Sequence, residues 1–113
     1  MLTKKKIRIP IFRIDLLIVV IDKIGEALKI DSRIDINSDS CVIDYNDGNV
    51  SIFITPNSIP IIAHECLHVK NSIWNRIGYI SQANNDEVDA YLLDYIIAKV
   101  LEVVEKHKSI KQC

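Results

Sequence analysis

The sequence lacks the features that mark nucleic-acid-binding, membrane-spanning and disulfide-stapled proteins. Its 14 lysine and arginine residues are balanced by 15 aspartate and glutamate residues, which leaves no basic footprint for nucleic acid. After the basic start of the chain, the longest uninterrupted apolar run is residues 16–21, too short for the core of a signal peptide or for a membrane span. The three cysteines are odd in number and have no C-x-x-C spacing, which argues against a disulfide framework and a cysteine-type zinc site.

Length and composition set the scale of the protein. The chain has 113 residues, of which 49% are hydrophobic and 26% are charged, a composition typical of a globular domain. That length is enough for one hydrophobic core and too short for a cleft between two domains. We therefore expect a single domain, residues 1–113, located in the cytoplasm and without a nucleic-acid or membrane partner.

Residue patterns in the first half predict strands and one short helix. Residues 6–21 are dense in isoleucine and valine and indicate two strands or one bent strand, with a break near residues 10–13. A short helix is predicted at residues 22–30. Residues 41–45 and 50–55 flank an N-D-G-N turn and indicate a β-hairpin.

Two long helices are predicted in the second half. Asn57 or Ser58 can cap a helix that runs to about residue 77, where the next residue is a glycine. A last helix is predicted at about residues 85–108, and His107 at its end is expected to be a cation favoured by the helix dipole. The order of elements predicts an α+β fold, in which a helix pair packs on one face of a small, mostly antiparallel sheet.

The most informative pattern is His64-Glu65-Cys66-Leu67-His68, which has the form H-E-x-x-H. Residues four apart on a helix differ by about 40° in azimuth, so both imidazoles leave one face and can bind one metal ion. Glu65 projects beside them, where it can act as a general base toward a zinc-activated water. Cys66 lies about 200° around the helix from His64 and is expected to be a small apolar core residue.

A catalytic zinc site needs a third protein ligand in addition to two histidines. The extended pattern with a third histidine fails, because Trp74 occupies that position. Residues 85–92 open the last helix with three carboxylates, and a carboxylate from a neighbouring antiparallel helix would complete a His-His-Glu set. Glu87, in an E-x-x-A pattern, is the predicted third ligand, and Asp86 is the alternative. Glu87 also fits a capping box with Asn84.

Other side chains are candidates for a supporting role at the site. Three can donate a hydrogen bond to an oxyanion, with a packing or surface role as the alternative for each: Tyr79, Tyr91 and Arg76. Asp89 and Asp94 either orient a histidine through a hydrogen bond or are surface charges. Tyr91 and Asp86 are the residues we expect to support the oxyanion or to orient a ligand.

A resemblance to a known family rests on three stretches: I-A-H-E-C-L-H-V, an I-G pair some ten residues later, and N-D-E-V-D-A-Y-L-L-D-Y-I. In these stretches the chain is similar to the small zincin-like metallopeptidases encoded by tailed bacteriophages, crAss-like phages included. More distantly it resembles the gluzincin class of zinc metallopeptidases. The resemblance covers about residues 50 to 97.

The resemblance implies a zinc site with His64, His68 and Glu87 as ligands and Glu65 as general base. It implies a minimal gluzincin-like fold, Zn²⁺ as cofactor, and a hydrolase that acts on a peptide or protein substrate. Tyr91 departs from the longer E-x-x-x-D pattern, in which an aspartate stands at that position.

Three classes of function follow from these observations. The first is a zinc-dependent metallopeptidase, in the host cytoplasm if the protein is phage-encoded. The second is a catalytically weak or inactive zinc-binding protein, for example one associated with the virion, and the third is a hydrolase with a substrate other than protein. Glu65 favours catalysis, because a purely structural site has no use for a base. The strand at residues 50–55 either forms a sheet edge that binds an extended peptide or is paired within the fold.

Overall fold

The computed structural model describes residues 1–111, which adopt an α+β fold, and it confirms the class predicted from the sequence. Its four strands are β1 (Leu2–Ile9), β2 (Ile14–Ile21), β3 (Cys41–Asp44) and β4 (Asn49–Ile54). A 3₁₀ helix, Ile24–Lys29, follows β2. The two long helices are α1 (Ile59–Ile77) and α2 (Glu87–Lys111).

The four strands form one mixed sheet in the order β1-β2-β4-β3. The β1–β2 and β3–β4 pairs are antiparallel, whereas β2 and β4 run parallel, with Asp15 opposite Asn49. The hypothesis that the strand at residues 50–55 forms a sheet edge is therefore wrong. Strand β4 is internal because it pairs with β2 on one side and with β3 on the other, and its residues are buried on both faces, as is typical of a strand in parallel pairing. The edge strand on that side is β3.

Each face of the sheet has its own apolar layer. On β2, alternate residues Leu16, Ile18 and Val20 pack under α1 and α2. Val19 and Ile21 point to the opposite face, where they pack with a smaller cluster that includes Ala27 of the 3₁₀ helix. Both long helices thus lie on one face of the sheet, as predicted, and the 3₁₀ helix packs on the other face.

The predicted local elements are present, with small shifts in their ends. The predicted strand segment at residues 6–21 forms two strands, but β1 begins at Leu2, before the predicted start. The predicted short helix is the 3₁₀ helix. Helix α2 begins two residues later than predicted. Within residues 1–111, neither long helix combines the length and the apolar character that crossing a membrane requires.

Candidate metal centre

The H-E-x-x-H motif lies on helix α1, with its glutamate buried and its two histidines exposed. The buried side carries four residues that pack against the sheet at helical spacing: Ile62, Cys66, Val69 and Ile73. Ser58 caps the helix by accepting a hydrogen bond from the Ile61 N–H at 3.4 Å, and Gly78, with a φ of 76°, ends it. His64 and His68 are exposed, so a metal ion can reach both imidazoles.

The two histidine side chains converge. Their Nε2 atoms are 3.1 Å apart, and their ring planes are inclined at 80°. Two nitrogen ligands of one tetrahedral zinc ion, each at about 2.0–2.1 Å, are roughly 3.3 Å apart. Donor atoms of His64, Glu65 and His68 lie within 4.8 Å of one another, and within residues 1–111 no other three metal-binding side chains do so. Two imidazoles and a carboxylate are a donor set that suits Zn²⁺.

Glu65 differs from the histidines in its surroundings, because it is only 6% exposed. The hydroxyl of Ser40 donates a hydrogen bond to Glu65 Oε2, with the two oxygens 2.5 Å apart. A buried carboxylate needs such a partner to compensate for lost hydration. One oxygen of the carboxylate, Oε2, is therefore anchored by Ser40.

Cys66 lies next to Glu65 but has no role at the metal centre in this geometry. It is fully buried on the sheet side of α1. Burial, together with the nearby charge of Glu65, raises the pKa of the Cys66 thiol to about 12. The thiol is thus protonated near neutral pH and packs as a small apolar group, as predicted.

The motif opens into a cleft between α1 and the edge strand β3. The cleft has a volume of about 460 Å³ and is lined by Ser40, Cys41, Val42, Asp44, His64, Glu65, His68 and Ser72. A second pocket of about 430 Å³ shares Ser40, His64 and Glu65 with it and is also lined by Asp39, Pro60 and Ile61. The site thus lies in open pockets between α1, the edge strand β3 and the segment before it.

The two candidates for the third ligand lie at the start of α2. Glu87 and Asp86 are both exposed, and neither belongs to the group formed by His64, Glu65 and His68. The carbonyl oxygen of Asp86 accepts the first helical hydrogen bond, from the Ala90 N–H, so Asp86 is the N-cap and Glu87 the first helical residue. A capping box with Asn84 would need the helix to begin at residue 85, and this interpretation is therefore wrong. The ligand role of Glu87 stays a prediction.

The ligand role can be tested by replacing Glu87 with glutamine. We expect Glu87→Gln to weaken zinc binding by more than the ~10–100-fold that loss of an outer hydrogen-bond partner typically costs. Helical content, measured by circular dichroism, should change little. Asp86→Asn is the matched control, because asparagine is an equally good N-cap. Unchanged zinc affinity in Glu87→Gln, with a loss in Asp86→Asn, would move the ligand role to Asp86.

Asp89 joins the two helices and does not orient a histidine. Its carboxylate accepts hydrogen bonds from Lys70 Nζ at 3.1 Å, from Trp74 Nε1, and from Ser81 Oγ at 2.8 Å. Lys70 is buried, so Asp89 also neutralises a charge that would otherwise be costly between the helices. This contact fixes the first turn of α2 against α1. Asp94, by contrast, is exposed and is a surface charge.

The role of Asp89 predicts a pH-dependent contribution to stability. Hydrogen bonds from Trp74 and Ser81 and the charge of Lys70 hold the pKa of the Asp89 carboxyl below its ordinary value. The stabilisation is therefore complete above the unfolded-state pKa of about 3.9 and is lost as pH falls through the lower folded-state value. We expect Asp89→Asn to lower the melting temperature at neutral pH, and the deficit to shrink below about pH 4.

Melting curves of wild type, Asp89→Asn and the exposed control Asp94→Asn, recorded across the acid range, check this expectation. The control should follow the wild type throughout. A deficit in Asp89→Asn that stays constant down to about pH 2 would contradict the assignment.

Two of the three candidate oxyanion donors have contacts away from the histidines. Tyr79 packs on Trp74, with ring centroids 4.6 Å apart, and Arg76 donates a hydrogen bond to the carbonyl oxygen of Asn46 at 3.2 Å. These contacts are the packing and surface roles given above as alternatives. Tyr91 is 69% exposed on α2, and its supporting role stays a prediction.

The contacts of two residues were missed by sequence reasoning. Ser40 lies 25 residues before Glu65 in a polar segment without a motif, and no local signal connects the two. His107 is fully buried, with Nδ1 2.8 Å from Thr3 Oγ1 and Nε2 2.9 Å from Asp22 Oδ1. It ties α2 to β1, a packing contact that the position of His107 at the helix end did not predict. The sequence did contain a signal for this burial, because His107 continues the buried stripe of α2: Leu92, Ile96, Val100, Val103 and Val104.

Comparison with known proteins adds no relative to this description. No protein-family model, no curated protein and no solved structure matches the chain.

Proposed function

We propose that this protein is a zinc-dependent metallopeptidase of the zincin-like, minimal gluzincin type. His64 and His68 bind the zinc ion, Glu65 is the general base, and Glu87 is the predicted third ligand. The observation that carries the proposal is the pair of facing Nε2 atoms, 3.1 Å apart, beside a buried carboxylate in an open cleft.

The chemistry follows from the two kinds of side chain in the cleft. A zinc ion supplies Lewis-acid chemistry, because it polarises a carbonyl group and makes water acidic enough to ionise near neutral pH. Glu65 accepts the proton on its carboxylate, whose Oε2 is anchored by the hydrogen bond from Ser40. The same carboxyl group can then protonate the leaving amine. Glu65 thus acts first as base and then as acid.

A peptide is the substrate that best suits the walls of this cleft. Strand β3 pairs with β4 on one side, so its other edge can add a strand and hold an extended peptide by main-chain hydrogen bonds. Asp44 lines the first pocket and Asp39 lines the second, whereas no lysine or arginine of the described residues lines either pocket. This charge pattern favours peptides with basic side chains.

A second candidate function is a zinc-binding protein without turnover. It is favoured by one observation: the group of three converging side chains includes Glu65 itself, whereas Glu87 lies outside it. If Glu65 binds the ion, no base remains for hydrolysis. For a phage-encoded protein, the peptidase belongs in the host cytoplasm, and the non-catalytic protein belongs there or in the virion.

Metal analysis and a digest test the proposal together. We expect about one zinc per chain, with three protein ligands and one open position in X-ray absorption spectra. A peptide library should be cleaved by the zinc-loaded protein, not after chelation, and again after zinc is restored. Absence of zinc would overturn both functions. Zinc bound by four protein ligands, with no cleavage, would favour the non-catalytic one.

A further inference from the structure

Ser40 connects the edge strand to the proposed general base. It lies immediately before β3, lines both pockets, and donates its hydroxyl proton to Glu65 Oε2. We infer that Ser40 is a positioning residue, which holds the Glu65 carboxylate in the orientation that proton transfer requires. The inference rests on the proposed metallopeptidase function.

The geometry of this contact suits a positioning role. The oxygen–oxygen distance of 2.5 Å lies in the range of hydrogen bonds between a hydroxyl and an ionised carboxylate, which are stronger than neutral ones. Glu65 leaves α1 next to His64, and its long side chain would otherwise sample several rotamers. Anchoring one carboxylate oxygen to the segment before β3 restricts these rotamers. It also fixes where Oε1 lies relative to the two imidazoles.

The contact also relates the base to the substrate edge. Ser40 directly precedes Cys41, the first residue of β3, so the same segment holds Glu65 and begins the strand on which an extended peptide would pair. A peptide that pairs with β3 is therefore positioned by the same segment of the chain that positions the Glu65 carboxylate. Proton transfer depends steeply on such placement, since a misplacement of about 1 Å can cost 10²-fold in rate.

A positioning role predicts a particular kinetic pattern. We expect Ser40→Ala to lower kcat by roughly 10- to 100-fold, with zinc content and KM close to those of the wild type. Ser40→Thr keeps the hydroxyl and should recover most of the rate. Ser38→Ala is the matched control, because Ser38 lies in the same segment but donates its hydroxyl proton to the Asp35 carbonyl oxygen. It should behave as the wild type.

A second measurement does not depend on activity. In the metal-free protein, Ser40→Ala, Glu65→Ala and the double variant form a mutant cycle for the free energy of unfolding. We expect the two substitutions to be non-additive, because each removes the same hydrogen bond. Additive effects would show that the contact does not form in solution and would overturn the inference.

The two readouts separate the inference from the proposed function. A wild type that cleaves peptides, with an unchanged kcat in Ser40→Ala or no recovery in Ser40→Thr, overturns the inference alone. A wild type without zinc-dependent cleavage overturns the proposed function and the positioning role of Ser40 in catalysis with it. In that case, non-additivity in the metal-free cycle would show that the failure does not lie in the contact between Ser40 and Glu65.

Discussion

Replacing His64 or His68 with alanine is expected to remove the zinc and the part of thermal stability that depends on zinc. The two Nε2 atoms face each other at 3.1 Å, so loss of either leaves one imidazole and no chelating pair. Binding to the folded state alone stabilises a protein by about 2.7 kcal/mol when free zinc is 100 times the dissociation constant. For a domain of this size, that corresponds to a rise in melting temperature of roughly 10 °C.

The metal-free forms should behave differently from the loaded ones. Both histidines are exposed on α1, and alanine is a better helix former than histidine by up to about 0.7 kcal/mol. Without zinc, His64→Ala and His68→Ala should therefore unfold at or slightly above the wild-type temperature. Added zinc should raise the melting temperature of the wild type and leave both variants unchanged.

Scanning calorimetry with and without zinc, combined with metal analysis, checks this result. Asn75→Ala is the control, since it makes a comparable change on the exposed surface of α1 without removing a candidate ligand. Its zinc-dependent rise should match that of the wild type. Full zinc occupancy in both histidine variants would show that the metal, if any, is held elsewhere.

How much of this site the sequence could predict depends on how local each signal is. The cap, the glycine end and the histidine spacing of α1 all lie within residues 58–78, and each was predicted correctly. Local geometry decides whether His64 and His68 share a helix face, so their convergence follows from the period of the helix. These features needed no knowledge of the rest of the fold.

The missed features depend on contacts between distant segments. The β2–β4 pairing joins residues that are distant in the sequence, such as Asp15 and Asn49, and no turn motif or residue spacing predicts it. A signal did exist in β4 itself, since its apolar residues fall on both faces of the strand, which is typical of an internal strand. Ser40 had no comparable signal, because its hydrogen bond to Glu65 depends on where the edge strand meets α1.

The start of α2 illustrates a different error. Both a capping box and a zinc ligand fit Glu87 in the sequence, and the capping interpretation required a helix that begins at residue 85. The Asp86 carbonyl oxygen instead accepts the first helical hydrogen bond, and Asp89 ties this turn to Lys70 and Trp74. Contacts with α1 therefore hold the turn that carries Glu87.

Replacing Glu65 with glutamine is expected to abolish most of the peptidase activity while leaving the fold intact. Glutamine has the same shape, and its carbonyl oxygen can still accept the hydrogen bond from Ser40. Its carboxamide cannot take up a proton near neutral pH. The rate should therefore fall by the ~10²–10⁴-fold typical of losing a general base.

Glu105→Gln is the matched control for this substitution. It makes the same chemical change on the exposed face of α2, at a residue that lines neither pocket. Wild type, both variants and chelated wild type are compared in one peptide-library digest, with new termini identified by mass spectrometry. Cleavage by the wild type and by Glu105→Gln, but not by the other two samples, is the expected pattern.

The zinc content of Glu65→Gln separates the two candidate functions. If Glu65 is the base, the variant keeps its zinc because His64, His68 and the third ligand are unchanged. If Glu65 is itself a ligand, as its place in the group of three converging donors allows, zinc affinity falls together with any activity. An inactive variant that retains zinc supports the peptidase, whereas an inactive wild type paired with a variant that loses zinc supports the non-catalytic protein.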